Sequence, residues 1–192
     1  MNDQTRRRVG RLQLLLVAAV FLGPLIVAAW MYYQGASVQP QGRTNHGTLL
    51  EPIENLANEL PDSAIHVLYE QSWVLLYAQD SACDTDCQDA LYKLRQSRLM
   101  LGKEMDRLTR VFLHGYTPPD TVFLAEEHAG LMTIEDGNLT RLLNSKKPAD
   151  LPANGYYLID PLGNLVMYFR PDLDPSEMVD DIKHLLKLSR IG

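Results

Sequence analysis

Hydrophobic positions first gather in a long uninterrupted run near the start of the chain. The run extends from Leu12 to Tyr33, holds 22 residues without a charge, and follows four arginines among the first eleven residues. As a helix it would be about 33 Å long at about 1.5 Å per residue, enough to cross a hydrocarbon core of about 30 Å. The pattern predicts a transmembrane helix, with Trp30, Tyr32 and Tyr33 at its far headgroup boundary.

An alternative interpretation of this run is a cleaved signal peptide that ends near Val27-Ala28-Ala29. The run is longer than the roughly 7–15 apolar residues of a signal peptide, which favours an uncleaved anchor. Because positive charges favour the cytoplasmic side, we expect residues 1–11 in the cytoplasm and the rest of the chain beyond the inner membrane. The expected order is an anchor at 12–33, a Gly-, Gln- and Ser-containing tether at 34–48, and a periplasmic domain at 49–192.

Short apolar runs then alternate with helical spacing. The predicted strands are Trp73–Tyr77, Arg110–Leu113, Leu131–Ile134, Tyr156–Asp160 and Leu165–Phe169. The predicted helices are Asp86–Thr109, Thr121–Glu127 (with a strand as the alternative), a turn at Leu139–Leu143, and a last helix with Asp174 as N-cap and Pro175 at its first position. Alternating strands and helices predict parallel pairing, and the two late strands predict an antiparallel hairpin. The fold class is therefore α/β, a mixed sheet with helices on both faces.

Composition and charge narrow the classes of function. Apolar residues make up 46% of the chain, which is enough for a real core. The net charge of −6 argues against nucleic-acid binding, because phosphate contacts need clustered Lys and Arg. The chain has no Ser–His–Asp order, phosphate-binding glycine loop or zinc-ligand spacing. The two cysteines are therefore the main candidates for a chemical role.

Cys83 and Cys87 follow the first predicted strand and enter the first predicted helix. In open α/β sheets, ligands and chemistry lie at the carboxyl ends of the strands. Residues i and i+4 of a helix have Cβ atoms about 5–6 Å apart, whereas a disulfide prefers about 3.8 Å, so a bond needs adjustment of only the first turn. Two thiolates on one helical face would equally suit a soft ion such as Cu(I).

A purely structural disulfide is the weaker interpretation, since closing a five-residue loop stabilises a protein by about 2 kcal/mol. Asp84, Asp86 and Asp89 suit the helix dipole but disfavour a thiolate nearby. We therefore expect a pair less acidic than that of a strong oxidant, and slow exchange with a specific partner.

The chain resembles the Sco/SenC family of membrane-anchored, thioredoxin-like copper and assembly factors for cytochrome c oxidase. The resemblance spans residues 48–190 and rests on the anchor, the strand Trp73–Tyr77, the C-x-x-x-C spacing, and the Y-L-I-D-P-x-G of Tyr157–Gly163 followed by a helix. It implies a thioredoxin-like sheet and a copper site made by both cysteines and a histidine shortly before the late strand. Here that neighbourhood, Leu151–Gly155, has no histidine, and Pro152 lies near the expected position.

The resemblance and the missing histidine favour a thiol-redox factor in which Cys83 and Cys87 cycle and keep the copper-ligand cysteines of a partner reduced. If the chain is an enzyme, it is a thiol–disulfide oxidoreductase; its expected partners are the membrane and oxidase subunits or other assembly factors, with no nucleic acid. One alternative is a copper chaperone with Cys83, Cys87 and His114 as ligands, because His114 ends a strand predicted beside the cysteine strand. His46, in the tether, is a further ligand candidate. Another alternative is a non-enzymatic assembly adaptor.

Overall fold

The computed structural model describes residues 3–33, 45–152 and 154–189. The chain divides into two compact units, Met1–Arg43 and Thr44–Gly192. In the first, helix α1 (Asp3–Tyr33) contains the stretch Gln13–Trp30, which has a mean hydropathy of 2.2 and is nowhere buried. A helix this long, with its apolar side chains exposed, is suited to lipid. Residues 34–44 of the predicted tether lie outside the described residues.

Six strands form one mixed sheet in the second unit. They are β1 (Thr48–Asn55), β2 (Trp73–Gln79), β3 (Leu108–His114), β4 (Met132–Glu135), β5 (Gly155–Ile159) and β6 (Asn164–Phe169). Their order across the sheet is β1-β6-β5-β2-β3-β4. β3 pairs in parallel with β2 and β4, whereas β5 pairs antiparallel with β2 and β6, and β6 pairs antiparallel with β1. The predicted mixed sheet and its late hairpin are confirmed.

Helices cover both faces of this sheet. They are α2 (Leu56–Glu59), α3 (His66–Tyr69), α4 (Thr85–Met100), α5 (Thr121–Glu127), α6 (Gly137–Lys146) and α7 (Pro175–Leu188). One hydrophobic cluster joins α4 and α7 to Leu75 and Tyr77 of β2, and the other joins α2, α3 and α6 to Val74 and Leu76. Because successive strand residues point to opposite faces, β2 must be apolar at almost every position, which is why its sequence is a continuous apolar run.

The predicted helix Asp86–Thr109 is wrong at its carboxyl end. α4 ends at Met100, a 3-10 helix occupies Gly102–Arg107, and β3 begins at Leu108. Gly102 has a φ of 60°, a left-handed conformation that ends α-helices and favours glycine. Leu108 continues the helical spacing in the sequence, but it is buried as the first residue of a sheet strand.

The remaining predicted helices are confirmed. α5 is a helix rather than the alternative strand, and the turn at Leu139–Leu143 is the middle of α6. An aspartate precedes each of α5, α6 and α7 and accepts backbone N–H groups of the first turn: Asp120, Asp136 and Asp174. These caps satisfy amides that have no partner within the helix.

Sequence patterns did not reveal β1, α2 or α3. β1 is an edge strand whose residues 51–53 are exposed and interrupt the register with β6, so it lacks an alternating pattern.

The segment before β1 is held to α7, because the buried carboxylate of Asp181 accepts the N–H groups of His46 and Gly47, each at 2.8 Å.

Candidate functional site

Both cysteines lie at the edge of the sheet where β2 and β3 end. The last residues of these strands, Gln79 and His114, are partners in the parallel pairing. The N–H of Gly115 donates to the Gln79 carbonyl at 3.1 Å and holds the loop after β3 against the end of β2. Cys83 lies in the loop after β2 and Cys87 in the first turn of α4, and a disulfide joins them with Cα atoms 5.1 Å apart.

The two sulfurs differ in exposure. Cys87 is 0% exposed within the cluster of α4 and α7, whereas Cys83 is only partly buried at the border of that cluster. The expectation that both cysteines share a helical face is wrong, because Cys83 precedes the N-cap residue and only Cys87 is helical. The extended backbone at the N-cap, rather than a distorted first turn, brings the two residues within disulfide range. Cys83 is therefore the more exposed of the two cysteines, and Cys87 is shielded from solvent.

Asp84 is the N-cap of α4 and lies between the two cysteines. Its backbone is extended, with φ −86° and ψ −170°, and its Oδ1 accepts the N–H of Cys87 at 3.1 Å. Asp86 and Asp89 follow on the exposed surface of α4. None of these three carboxylates takes part in the ion pairs between described residues. The start of α4 is therefore negatively charged beside the disulfide.

A hydrogen-bonded network lines the same edge. The Tyr77 hydroxyl donates to Gln79 Oε1 at 2.9 Å, and Gln79 Nε2 donates to Ser81 Oγ at 2.9 Å. Asn154, directly before β5, donates to the same Gln79 oxygen at 3.5 Å. Burial raises the pKa of Tyr77 to about 12. Tyr77 is therefore a protonated hydrogen-bond donor at neutral pH and not a base.

Two grooves open beside the first turn of α4. One, of about 570 Å³, is lined by Tyr77, Tyr92 and Pro171 together with side chains of α4. The other, of about 520 Å³, is lined by the polar residues after β2 and by part of α6. Asp86 and Asn154 line both grooves, so the two meet at the start of α4. The second groove thereby borders the segment that carries the disulfide.

His114 ends β3 at this edge. Its Nδ1 lies 2.8 Å from the carbonyl oxygen of Gly115 and, because a carbonyl only accepts, Nδ1 donates in this bond. The His114 ring contacts Phe112, with centroids 5.8 Å apart, and Phe112 shares a hydrophobic cluster with Cys87. The geometry thus places His114 on the sheet face that α4 covers.

The predicted metal ligands do not form a copper site in this oxidised state. Across residues 3–33, 45–152 and 154–189, no three His, Cys, Asp or Glu side chains converge in an arrangement able to hold a metal ion. The disulfide also leaves neither Cys83 nor Cys87 as a thiolate, the form that binds copper. A site made by these cysteines and His114 stays a prediction for the reduced protein.

The other candidate ligand positions, His46 and the neighbourhood of Pro152, make contacts with other parts of the fold. His46 lies against α7, with its Nδ1 3.6 Å from Glu177 Oε1. Near Pro152, where the resemblance expects a ligand, the Tyr168 hydroxyl is 3.0 Å from the Pro152 carbonyl oxygen and 2.9 Å from that of Asn154. Sequence reasoning missed Asn154 as part of the site, because its partners are distant along the chain.

Two family models match the chain. The model described as "Transmembrane-like, thioredoxin-like, C-terminal domain" matches residues 73–189. The model described as "Transmembrane-like, N-terminal domain" matches residues 3–35, which agrees with α1 as a membrane-anchor helix. A comparison with curated proteins finds no match.

Solved structures share the fold at low sequence identity. Apo Sco1 of Thermus thermophilus is 16% identical with a TM-score of 0.53, and the match covers 73% of this chain and 96% of that one. Copper-bound yeast Sco1 is 20% identical with a TM-score of 0.51, covering 65% and 81%. Copper-bound ScoI of Arabidopsis thaliana is 18% identical with a TM-score of 0.50, covering 65% and 89%. At such identities the likeness establishes the fold alone.

The family match from residue 73 to residue 189 takes in β2, the disulfide and every later strand and helix. The mixed sheet, the cysteine-bearing loop at its edge and the apolar N-terminal helix agree with both family descriptions. The chain therefore belongs to the family of transmembrane-like proteins with a thioredoxin-like C-terminal domain.

Proposed function

We propose that this protein is a membrane-anchored, extracytoplasmic thiol–disulfide factor in which Cys83 and Cys87 cycle between disulfide and dithiol. The observation that carries the proposal is the disulfide at the carboxyl edge of the sheet, with one partly exposed and one buried cysteine. Because such a bond closes a loop of only five residues, it stabilises the folded state by only about 2 kcal/mol. Two hydrophobic clusters already hold the domain together, so the bond suits chemistry better than structure.

The accessible sulfur would act first. The Cys83 thiolate attacks a disulfide of the partner, which forms a mixed disulfide and releases the partner's second sulfur as a thiolate. The deprotonated Cys87 then attacks the Cys83 sulfur, closes the internal disulfide and releases the partner's remaining sulfur. The partner gains two electrons, and its thiolates take protons from water. A dithiol reductant outside the cytoplasm must then reduce the Cys83–Cys87 bond by the same exchange.

The partner we propose is a copper-binding subunit of cytochrome c oxidase, or another factor of its assembly, whose copper-ligand cysteines must be reduced before they bind metal. Two of the solved structures with this fold are Sco proteins with copper bound, which supports that choice. The anchor helix would keep the domain near a membrane-bound partner. The arginines before Leu12 support an inner-membrane location with residues 1–11 in the cytoplasm and the domain in the periplasm.

Replacing both cysteines tests this proposal. The Cys83→Ser/Cys87→Ser variant should leave more of the partner's copper-ligand cysteines oxidised and reduce the amount of assembled oxidase. Ser145→Ala, an exposed serine on α6, is a matched control for expression and membrane insertion. Wild-type oxidase assembly and partner thiol state in the double variant would reject redox cycling and support the adaptor alternative.

A second candidate function is copper binding by the reduced protein, favoured by the position of His114 at the end of β3, beside the end of the strand that precedes the cysteines. Two thiolates and an imidazole are donors that suit Cu(I). Titration of Cu(I) into the reduced full-length chain should then show binding that His114→Ala weakens at least about tenfold. His184→Ala, on the exposed surface of α7, should leave it unchanged. Equal binding by the wild type and His114→Ala would exclude His114 as a ligand.

A further inference from the structure

Arg110 is a buried positive charge on the sheet face that α4 covers. It pairs in register with Leu75 of β2, which belongs to the hydrophobic cluster of α4 and α7. Arg110 is 5% exposed, and its Nη2 donates to the Ala129 carbonyl oxygen at 2.7 Å. Its Nε and Nη1 are buried and donate to no atom in the part of the chain that the structure describes. Because a buried charge is costly unless it is paired and hydrogen-bonded, a further acceptor with a negative charge would stabilise this guanidinium.

Another unpartnered nitrogen lies in the turn that contacts this guanidinium. Ala129, the acceptor of the Arg110 bond, directly follows His128, which ends α5 as its C-cap. His128 is 3% exposed, and its ring packs edge-on against Phe123 with centroids 5.0 Å apart. Its Nδ1 is buried and has no hydrogen-bond partner among residues 3–33, 45–152 and 154–189. A neutral imidazole can carry its proton on Nδ1, so the ring can offer one more unsatisfied N–H in this turn.

Two arginines of α4 add positive charge near the same turn. Arg95 Nη1 donates to the carbonyl oxygen of Glu127 and lies 3.4 Å from its Oε2. Arg98 Nη2 lies 3.1 Å from Asp106 Oδ1. The ion pairs between described residues include none in which an Asp or Glu pairs with Arg110. Three guanidiniums and two paired carboxylates therefore leave one positive charge, that of Arg110, without a counter-ion among those residues.

Both buried groups lie in the positive potential of this cluster. Burial lowers the pKa of Arg110, and Arg98 and Arg95 add to that effect. Burial also lowers the pKa of His128, and Arg95 and Arg110 lower it further, while Glu127 acts in the opposite sense. His128 is therefore neutral at pH 7, and an anion in this turn would offset the repulsion between the guanidiniums.

We propose that Arg110 and His128 bind a small monovalent anion of the size of chloride beneath the turn that joins α5 to β4. One negative charge would neutralise the guanidinium and accept N–H groups that the protein leaves unsatisfied. An ordered water also accepts hydrogen bonds at a buried site, but it has no charge with which to offset that of Arg110.

The enclosure of these nitrogens limits the size of the ligand. They have almost no contact with solvent, so a phosphate ester or a peptide carboxylate is too large for them. Ala129 and Gly130 form the turn beside the guanidinium and are exposed, so a small ion reaches the site by local opening of this turn. The inference does not depend on the proposed redox cycle.

The anion dependence of thermal unfolding tests this proposal. The oxidised full-length protein in detergent micelles is heated in mixtures of sodium chloride and sodium gluconate of constant ionic strength, because gluconate is too large for an enclosed site. A ligand that binds only the folded state raises the Tm as its concentration increases. The Tm should rise by about 3–6 °C for each tenfold increase in chloride above the dissociation constant.

Two methionine substitutions separate the site from general effects of salt. Arg110→Met removes the buried charge and keeps a long side chain, so its Tm should not depend on chloride. Arg141→Met removes an exposed arginine of α6, on the opposite face of the sheet, and should keep the chloride dependence of the wild type. A Tm that does not change with chloride in the wild type, or a dependence that survives in Arg110→Met, would overturn the proposal.

Chloride NMR gives a second measurement, which decides the question even if Arg110→Met fails to fold. Exchange of chloride with a protein site broadens its NMR signal, and bromide, an ion of similar size, should reverse the broadening where gluconate does not. His128→Leu should weaken chloride binding by about 3–10-fold, the effect of losing one hydrogen bond. No broadening by the wild type, or equal broadening by the wild type and His128→Leu, would overturn the assignment of the anion to these nitrogens.

Discussion

Reduction of the Cys83–Cys87 disulfide should weaken the second unit only slightly. The bond closes a loop of five residues, which in the chain-entropy model stabilises the folded state by about 2 kcal/mol. Removing the buried side chain of Phe112 by substitution with alanine should cost more, about 3–5 kcal/mol. Since domains of this size unfold with about 5–15 kcal/mol, the reduced domain should stay folded, as a redox cycle requires.

Urea and thermal unfolding of the segment from Thr44 onward would measure this effect, because that segment is a compact unit with both hydrophobic clusters. Trp73 is its single tryptophan and is buried in β2, so its fluorescence reports the sheet. Reduction should lower the Tm by about 4–8 °C, at about 2–4 °C per kcal/mol for a protein of this length. The Cys83→Ser/Cys87→Ser variant should unfold like the reduced wild type and should not respond to reductant.

A loss of more than about 5 kcal/mol on reduction, or an unfolded reduced protein, would contradict this expectation. The disulfide would then be a structural element, and a cycle that opens it at every turnover would be untenable. A loss near zero would instead mean that the reduced chain keeps the same loop without the bond.

Two further predictions concern the surroundings of the site. A Cβ at Gly115 would lie 2.2 Å from the Asp80 carbonyl oxygen, so Gly115→Ala should destabilise the domain by about 1–3 kcal/mol in urea unfolding. Gly137→Ala is the control and should not destabilise the domain, because a Cβ there would have no other atom within 4 Å. Equal effects of the two substitutions would exclude the close contact as the cause. His128 is 3% exposed, and its burial, together with two neighbouring arginines, lowers its pKa in the folded protein. The unfolded state therefore binds more protons than the folded state as the pH falls. The free energy of unfolding should decrease below about pH 6.5, by at most about 1.4 kcal/mol per pH unit. The unfolding free energy of His128→Gln, measured from pH 7.5 to 5, should depend less on pH, and an unchanged slope would contradict this assignment.

The sequence predicted those parts of the fold whose signals are local. β2 is apolar on both faces and was recognisable as a central strand, and α7 begins with Asp174 and Pro175, which cap and start a helix. The edge strand β1 has no such signal, because exposed residues and a shift in register interrupt it. The end of α4 was also missed, because Leu108 continues the helical spacing of apolar residues although it is the first residue of β3.

The candidate site was predictable in its chemistry but not in its geometry. The spacing of Cys83 and Cys87 after a strand was enough to propose a redox pair at the sheet edge. Their unequal burial depends on how α4 packs against α7, which no short stretch of sequence records. The bond of Asn154 to Gln79 likewise joins residues far apart along the chain and needed the folded sheet.

Asymmetric trapping of a partner in native membranes is the most direct test of the redox cycle. Cells that express Cys87→Ser or Cys83→Ser at wild-type levels would be quenched with acid and alkylated, and disulfide-linked complexes would be identified by non-reducing electrophoresis and mass spectrometry. A redox cycle predicts that Cys87→Ser accumulates a reductant-sensitive complex through Cys83, while Cys83→Ser does not, because Cys87 is buried. Complexes of equal abundance in both variants, or no complex in either, would contradict it.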